Sequence, residues 1–380
     1  MILLFALILL LIIIAVVVFI VYKRMDTPYT YLNTNSTYAT KTGFYNASDL
    51  GYPDMRILRN EKEKTFERIK KLVNAPADAV VVVNSGATES IATCINWAKK
   101  YNKYGIIYGT EFDHSSVEKN VVNQDMEYKH IDDGIENAAG IFLTHVNSKT
   151  GEILDDKYLH IADSMLSLQD ASSDFEANIA TVPYTPLIFV DASQSIMKTD
   201  IDMSAMKANA LFFSLHKIGG PMNMGVIVIH APERKPFVPL IAGEQNHSMR
   251  GGTMNDTAFV QNRDIFEHIH LPEERIKKWN EIAAILKRNN IKVIEPKGKH
   301  IYNTFLIDTE SENCPLSIVD KLTDSNIYVG TVSACSNESI YEGRMKGGND
   351  NKYIRISFND PEDVKSNAIE KICSVIKDAK

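Results

Sequence analysis

The sequence predicts an α/β protein of two domains behind one N-terminal transmembrane helix. Three observations carry this. First, short apolar runs recur: Val80 to Asn84, Leu187 to Asp191, Ala208 to Phe213 and Met224 to His230. Each has the length and make-up of a buried strand. Second, apolar residues recur at helical spacing over Glu61 to Val73 and Leu271 to Arg288, as on helices packed by one face. Third, Ile2 to Tyr22 is unbroken apolar sequence followed by Lys23-Arg24, and about twenty such residues span a bilayer.

The chain has 380 residues, which suits a two-domain enzyme with a sizeable core. Its formal net charge is −7 and its pI about 5.8, so no nucleic-acid footprint is visible. The four cysteines, Cys94, Cys314, Cys335 and Cys373, show no CxxC or paired spacing. That argues against a metal site or a disulfide framework and fits a reducing compartment. No basic residue precedes the apolar run and no clear cleavage site follows it, so an uncleaved anchor is expected rather than a signal peptide. By the bias of basic residues toward the cytosol, Lys23 and Arg24 predict a single-pass membrane protein with the rest of the chain on the cytosolic side. The domains read as an anchor over 1–24, a linker and N-terminal arm over 25–45, a large domain over 46–270 and a small domain over 271–380.

Within the large domain, Ser214-Leu215-His216-Lys217-Ile218-Gly219-Gly220-Pro221 lies between two apolar strands. A lysine at a strand end beside a Gly-Gly-Pro turn can face a pocket, lose solvation and form a Schiff base with a carbonyl. A solvated loop lysine is the plainer alternative. Two neighbours favour chemistry. Asp191 ends one strand, and Ser85-Gly86-Ala87-Thr88-Glu89-Ser90 turns another into a helix. Pyridoxal phosphate needs these parts: a lysine for its aldehyde, an acid for its ring nitrogen, and a helix N-terminus for its phosphate.

These motifs, in this order, resemble the class V aminotransferase group and, within it, the NifS-like cysteine desulfurases. The later Ser333-Ala334-Cys335-Ser336 completes the series. The resemblance implies the fold of type I pyridoxal-phosphate enzymes: a large domain with a mostly parallel sheet and a smaller α/β C-terminal domain. It covers the chain from about residue 30 to its end.

Position by position, the resemblance assigns roles. Ala87 and Thr88 would hold the phosphate, with Ser214 and His216. His114 would stack on the cofactor ring, although Phe112-Asp113 lengthens the Glu111-to-His114 spacing. Asn147 would donate to the phenolic oxygen, Asp191 would keep the ring nitrogen protonated, and Gln194 would contact the ring-oxygen side. Lys217 would bind the aldehyde. Thr253, at the end of the Ile241-to-Thr253 loop, would reach a partner's phosphate and so implies a homodimer with shared sites. Cys335 would carry a persulfide on a long polar loop. Arg355, in Tyr353 to Phe358, would grip the substrate carboxylate, since a guanidinium meets a carboxylate with two parallel hydrogen bonds. Tyr31 to Thr37 resembles the family's opening stretch and would place Asn35 near substrate.

The implied activity is conversion of L-cysteine to L-alanine, with catalysis by Lys217, His114 and Cys335 and sulfur passed on to an acceptor protein. Two alternatives stand beside it. One is another class V reaction, selenocysteine lysis or transamination. The other is a catalytically inactive, membrane-tethered NifS-like binding protein. Departures from the family pattern at Asn33, Ser148-Lys149 and Asn359-Asp360 motivate the second.

Overall fold

A computed structural model describes residues 53–161, 185–267, 272–310, 315–331 and 352–379. By packing, the chain parts into two units, Met1–Arg56 and Ile57–Lys380. Apart from the opening residues of the first helix, α1 (Pro53–Leu72), the account that follows concerns the second unit. The expected anchor, the N-terminal arm with Asn35, and the loop with Cys335 lie outside the described residues. Among the described residues no helix is long and apolar enough to cross a membrane.

Seven strands form the main sheet: β1 (Val80–Asn84), β2 (Ile106–Gly109), β3 (Glu127–His130), β4 (Ala138–Thr144), β5 (Leu187–Asp191), β6 (Ala210–Ser214) and β7 (Gly225–Ile229). Their order across the sheet is β1-β7-β6-β5-β4-β2-β3. All neighbours are parallel except β7, which runs antiparallel to both β1 and β6. The mostly parallel sheet expected from the motifs is present. It explains why these strands read as continuous apolar runs: both faces are covered. Successive side chains alternate faces. Val81, Val83, Val190 and Leu211 join one buried cluster. Val82, Phe142, Phe189 and Phe212 join another, against Ile91, Cys94 and Trp97 of α2 (Ala87–Tyr101). Full burial of such a side chain contributes about 2 kcal/mol.

A four-stranded antiparallel sheet, ordered β10-β11-β9-β8, follows. It is built from β8 (Lys292–Ile294), β9 (Thr304–Asp308), β10 (Gly330–Thr331) and β11 (Tyr353–Ser357). Its core is separate, with Phe305, Ile307, Ile354 and Ile356 packed on Ile282, Leu286, Ile318, Leu322, Ile372 and Ile376. Those last residues come from the three helices that follow α5 (Asp256–Gln261): α6 (Pro272–Arg288), α7 (Pro315–Thr323) and α8 (Ser366–Lys377).

Several details differ from expectation. α1 begins at Pro53 rather than near Glu61, as proline in the first turn allows. The edge strand β3 and the helix α3 (Ser116–Asn123) were not expected. β3 reads Glu-Tyr-Lys-His, partly exposed, with none of the apolar run of a central strand. α4 (Asp156–Leu159) is a single turn, and residues 162–184 after it lie outside the description. Near the C-terminus Asp360 accepts a hydrogen bond from the Glu362 N–H and caps a 3-10 turn at Pro361–Asp363, ahead of α8, which starts at Ser366.

Candidate active site

The parallel strands end side by side, and ligands in such sheets sit beyond those carboxyl ends. In register, Asp191 at the end of β5 pairs with Thr144 of β4 and Phe212 of β6. Ser214 ends β6 opposite Gly225 of β7, which in turn faces Asn84 of β1. A cavity of about 230 Å3 lies at this edge.

One end of the cavity is a helix N-terminus. The Ala87 N–H donates to Ser214 Oγ at 2.9 Å, and the Gly86 N–H donates to Asn84 Oδ1 at 3.0 Å. Ala87, Thr88, Ser214 and His216 line this end. The close approach depends on Gly225, where a Cβ would lie 2.5 Å from Gly86 Cα. Oriented N–H groups and the helix dipole favour an anion here. Glu89, in the first turn of α2, accepts from the Ser85 N–H at 3.0 Å and from Arg250 at 2.8 and 3.2 Å. Burial opposes its ionisation, yet these bonds hold its carboxyl below the usual range. The pair ties the Ile241–Thr253 loop to α2.

The floor is Asp191, which is 6% exposed. It accepts the Ser193 N–H at 2.8 Å. Burial pushes its carboxyl above the ordinary value; the Ser193 bond and the charges of His114 and Lys217 oppose the shift. A buried carboxylate of this kind calls for a cationic N–H partner. Lys217 enters from the 3-10 turn Leu215–Ile218 that follows β6. Gln194 lines the cavity from the turn after β5, and Arg355 from β11.

His114 stands over the same cavity. Its Nδ1 lies 2.7 Å from Ser116 Oγ and accepts the Ser116 N–H at 3.2 Å, so the neutral ring carries its proton on Nε2. Burial first, and then the charges of Lys217 and Lys119, lower its pKa, against the pull of Asp191. Asp113, one residue before it, is a group that sequence reasoning passed over. Its carboxyl accepts from the Thr144 hydroxyl at 2.7 Å, from the Thr110 N–H and hydroxyl at 3.1 Å each, and from the Tyr128 hydroxyl at 3.4 Å. Burial pushes this carboxyl up to about 7, with Asp191 adding to the rise. The space exists because position 109 is glycine: a Cβ there would lie 2.1 Å from Asp113 Oδ2. The acid directly before His114 is therefore Asp113, while Glu111 is exposed.

A second cavity of about 220 Å3 adjoins the first and shares Ser148, Gln194, His216, Lys217 and Arg355 with it. It adds Lys198, Asn303, Thr304 and Asn359. Arg355 Nη1 donates to the Ser148 carbonyl at 2.9 Å, and Asn359 Nδ2 to the Lys217 carbonyl at 3.5 Å.

Asn147 does not line these cavities, and neither does Thr253, whose expected contact is with a partner's phosphate. Asn147 Oδ1 accepts the Lys149 N–H at 2.8 Å and shapes the turn after β4. Thr253 is exposed at the end of its loop. Asn35 and Cys335 are outside the described residues. The two cysteines that are described, Cys94 and Cys373, are fully buried. Burial holds the first thiol well above its ordinary pKa and pushes the second up to about 11. A larger cavity of about 390 Å3 near Phe112 and Lys299 carries mutually paired charges, such as Lys299–Asp156 at 3.3 Å and Lys157–Asp132 at 4.0 Å. Its lining includes Glu111 and Phe112 but none of the residues assigned a site role from sequence.

The aminotransferase class-V family model matches residues 55–365. Cysteine desulfurase IscS of Stutzerimonas stutzeri is 25% identical over 339 residues, covering 83% of this chain and 81% of its own. That of Proteus mirabilis is 27% identical over 287 residues, covering 68% and 66%. Among solved structures, a NifS-like protein aligns with TM-score 0.69 at 18% identity, over 88% of this chain and 91% of that one. A NifS-like protein from Rickettsia africae aligns with TM-score 0.68 at 16% identity, over 88% and 91%.

Proposed function

Since the chain belongs to the class-V aminotransferase family, whose desulfurase members work through pyridoxal phosphate, we propose that it is a cysteine desulfurase. It would take sulfur from L-cysteine and release L-alanine. The observation that carries this reading is the convergence of Lys217, Asp191, His114 and Arg355 on one cavity.

The residues fit the cofactor. The α2 N-terminus with Thr88, Ser214 and His216 suits its phosphate, and buried Asp191 suits a protonated ring nitrogen. When bound, the group supplies an electron sink for bonds at an amino acid's α-carbon. The chain's own side chains do the rest. Asp191 holds a proton at the ring nitrogen. Arg355 grips the α-carboxylate and orients the substrate. Lys217 takes and returns protons at the α-carbon. Neutral His114, with its proton on Nε2, can pass one across the face of the site.

The thiol that receives sulfur is assigned to Cys335. Cys94 and Cys373 support this by their burial, since an enclosed thiol with a raised pKa is a poor nucleophile. The reading extends to a homodimer, for which the exposed Thr253 on a loop held by Glu89–Arg250 is the supporting feature. It also takes Ile2 to Tyr22 as a membrane anchor that leaves the catalytic part on the cytosolic side, and it includes a sulfur-acceptor protein as partner. The test is to incubate purified protein with pyridoxal phosphate, L-cysteine and dithiothreitol, whose two thiols are oxidised to a disulfide as they reduce the Cys335 persulfide to thiol and sulfide, and to assay sulfide and alanine together. Equal yields of both, lost in Cys335→Ser, are expected. Alanine without sulfide, or a keto acid in its place, would reject desulfuration.

A further inference from the structure

The second cavity contains more positive charge than its described lining can balance. Lys198, Lys217 and Arg355 line it, and no carboxylate does. Lys217 is committed to the cofactor in the reading above, which leaves Lys198 and Arg355 facing the remaining space. Lys198 sits one turn after Gln194, whose Oε1 accepts from its ammonium at 3.3 Å. A neutral amide oxygen offsets little of a partly buried charge.

Behind Lys198 stands a second cation. Arg275, from the first turn of α6, is 3% exposed, and its Nη1 donates to the Lys198 carbonyl at 3.0 Å. Its Nε and Nη2 find no partner among the described residues, and neither does Arg355 Nε. Arg275 thus fixes the turn that carries Lys198 and adds positive potential behind it. Such a cluster is stable with an anion at its mouth. The lining is amide, hydroxyl and cation, with Phe358 as its one large apolar side chain, and the space suits a small amino acid rather than a hydrophobic one.

We infer that Lys198 is a second carboxylate-binding residue of the site, sharing with Arg355 the α-carboxylate of the substrate amino acid. Arg275 acts as the positioning residue beneath it. This deepens the amino-acid reading of the cavity and rests on it. Carboxylate binding then requires Lys198 in its charged form. Burial, then the charges of Arg275, Lys217 and Arg355, lower its pKa to about 7. His216, the other titrating group on this wall, is itself held below its ordinary value by burial and Lys217, and so is neutral above pH 7. Affinity for a carboxylate therefore falls as pH rises through 7.

The test uses the full-length protein with pyridoxal phosphate and two readouts. The first is titration calorimetry with propionate, a carboxylate with neither amine nor thiol, on either side of pH 7. The second is KM and kcat for L-cysteine. Lys198→Met should weaken propionate binding and raise KM by about ten-fold, the size of one lost charge-assisted hydrogen bond. The change in kcat should be smaller and the pH dependence of binding should disappear. Lys198→Arg should restore most of the affinity at low pH and keep it above pH 7, because guanidinium does not titrate there. Equal propionate affinity in Lys198→Met and the unsubstituted protein would overturn the inference. So would equal losses in the Met and Arg variants, which would mean packing rather than charge. If L-cysteine is not turned over while propionate binding still depends on Lys198, the inference stands and the desulfurase reading falls.

Discussion

The two walls of the site are built differently. The wall from the seven-stranded sheet pairs its charged and backbone groups internally, with Ala87 N–H on Ser214, Ser193 N–H on Asp191 and four donors on Asp113, and leaves only neutral atoms such as Ser193 Oγ without a partner among the described residues. The opposite wall leaves charge uncompensated, with Arg355 Nε and two nitrogens of Arg275 lacking partners among the described residues. The first wall is a preorganised cradle and needs no substrate to hold its shape. The second is incomplete until an anion arrives. The difference teaches that cofactor geometry is set by the sheet, while substrate affinity depends on side chains that strain against each other when alone.

That contrast can be broken or sharpened by substitution. The largest effect is expected at Lys217→Ala, which should lower sulfide and alanine formation by about 10³-fold, within the range for loss of a positioned acid–base group. Asp191→Asn keeps the shape of the floor and removes its charge. It should retain cofactor measured by absorbance while activity falls by about 10²-fold or more. Arg355→Met acts on the other wall and should raise KM for L-cysteine about ten- to hundred-fold, with less change in kcat. Gly225→Ala probes the cradle itself. Its new Cβ would lie 2.5 Å from Gly86 Cα, so cofactor affinity should drop and stability should fall by about 1–3 kcal/mol in a melting experiment.

The smallest effect concerns pH. Asp113 has a folded pKa of about 7 against an ordinary 3.8. The folded state therefore binds the extra proton, and this group's contribution makes stability fall as pH rises from about 4 to about 7. Asp113→Asn should flatten that part of a stability–pH profile. An unchanged slope would show that Asp113 is not protonated in the fold.

Much of the sheet wall was legible in sequence, and the reason is local. A parallel strand buried on both faces writes a continuous apolar run, and the residue ending the run is placed by register at the sheet edge. Asp191, Ser214 and the Gly86-Ala87-Thr88 turn could be located that way. The other wall was not legible in the same manner. Lys198 looks like any lysine in Ile196-Met197-Lys198-Thr199, and only the approach of Arg275 from 77 residues away reveals its surroundings. Asp113 was read as a spacer because its four donors come from three separate segments. Asn147 caps a local turn with its side-chain oxygen, so the donor role the resemblance implies would fall to its amide nitrogen. β3 escaped notice because an edge strand with charged residues carries no apolar run.

The central claim is that these walls form one pyridoxal-phosphate site that acts on L-cysteine. The most direct measurement is the visible absorbance of the cofactor-loaded protein before and after L-cysteine, with sulfide and alanine then assayed in the same sample after dithiothreitol is added to reduce the persulfide. The account predicts a cofactor band that shifts on addition and equal yields of the two products. A band that ignores L-cysteine, or no band at all, would contradict it.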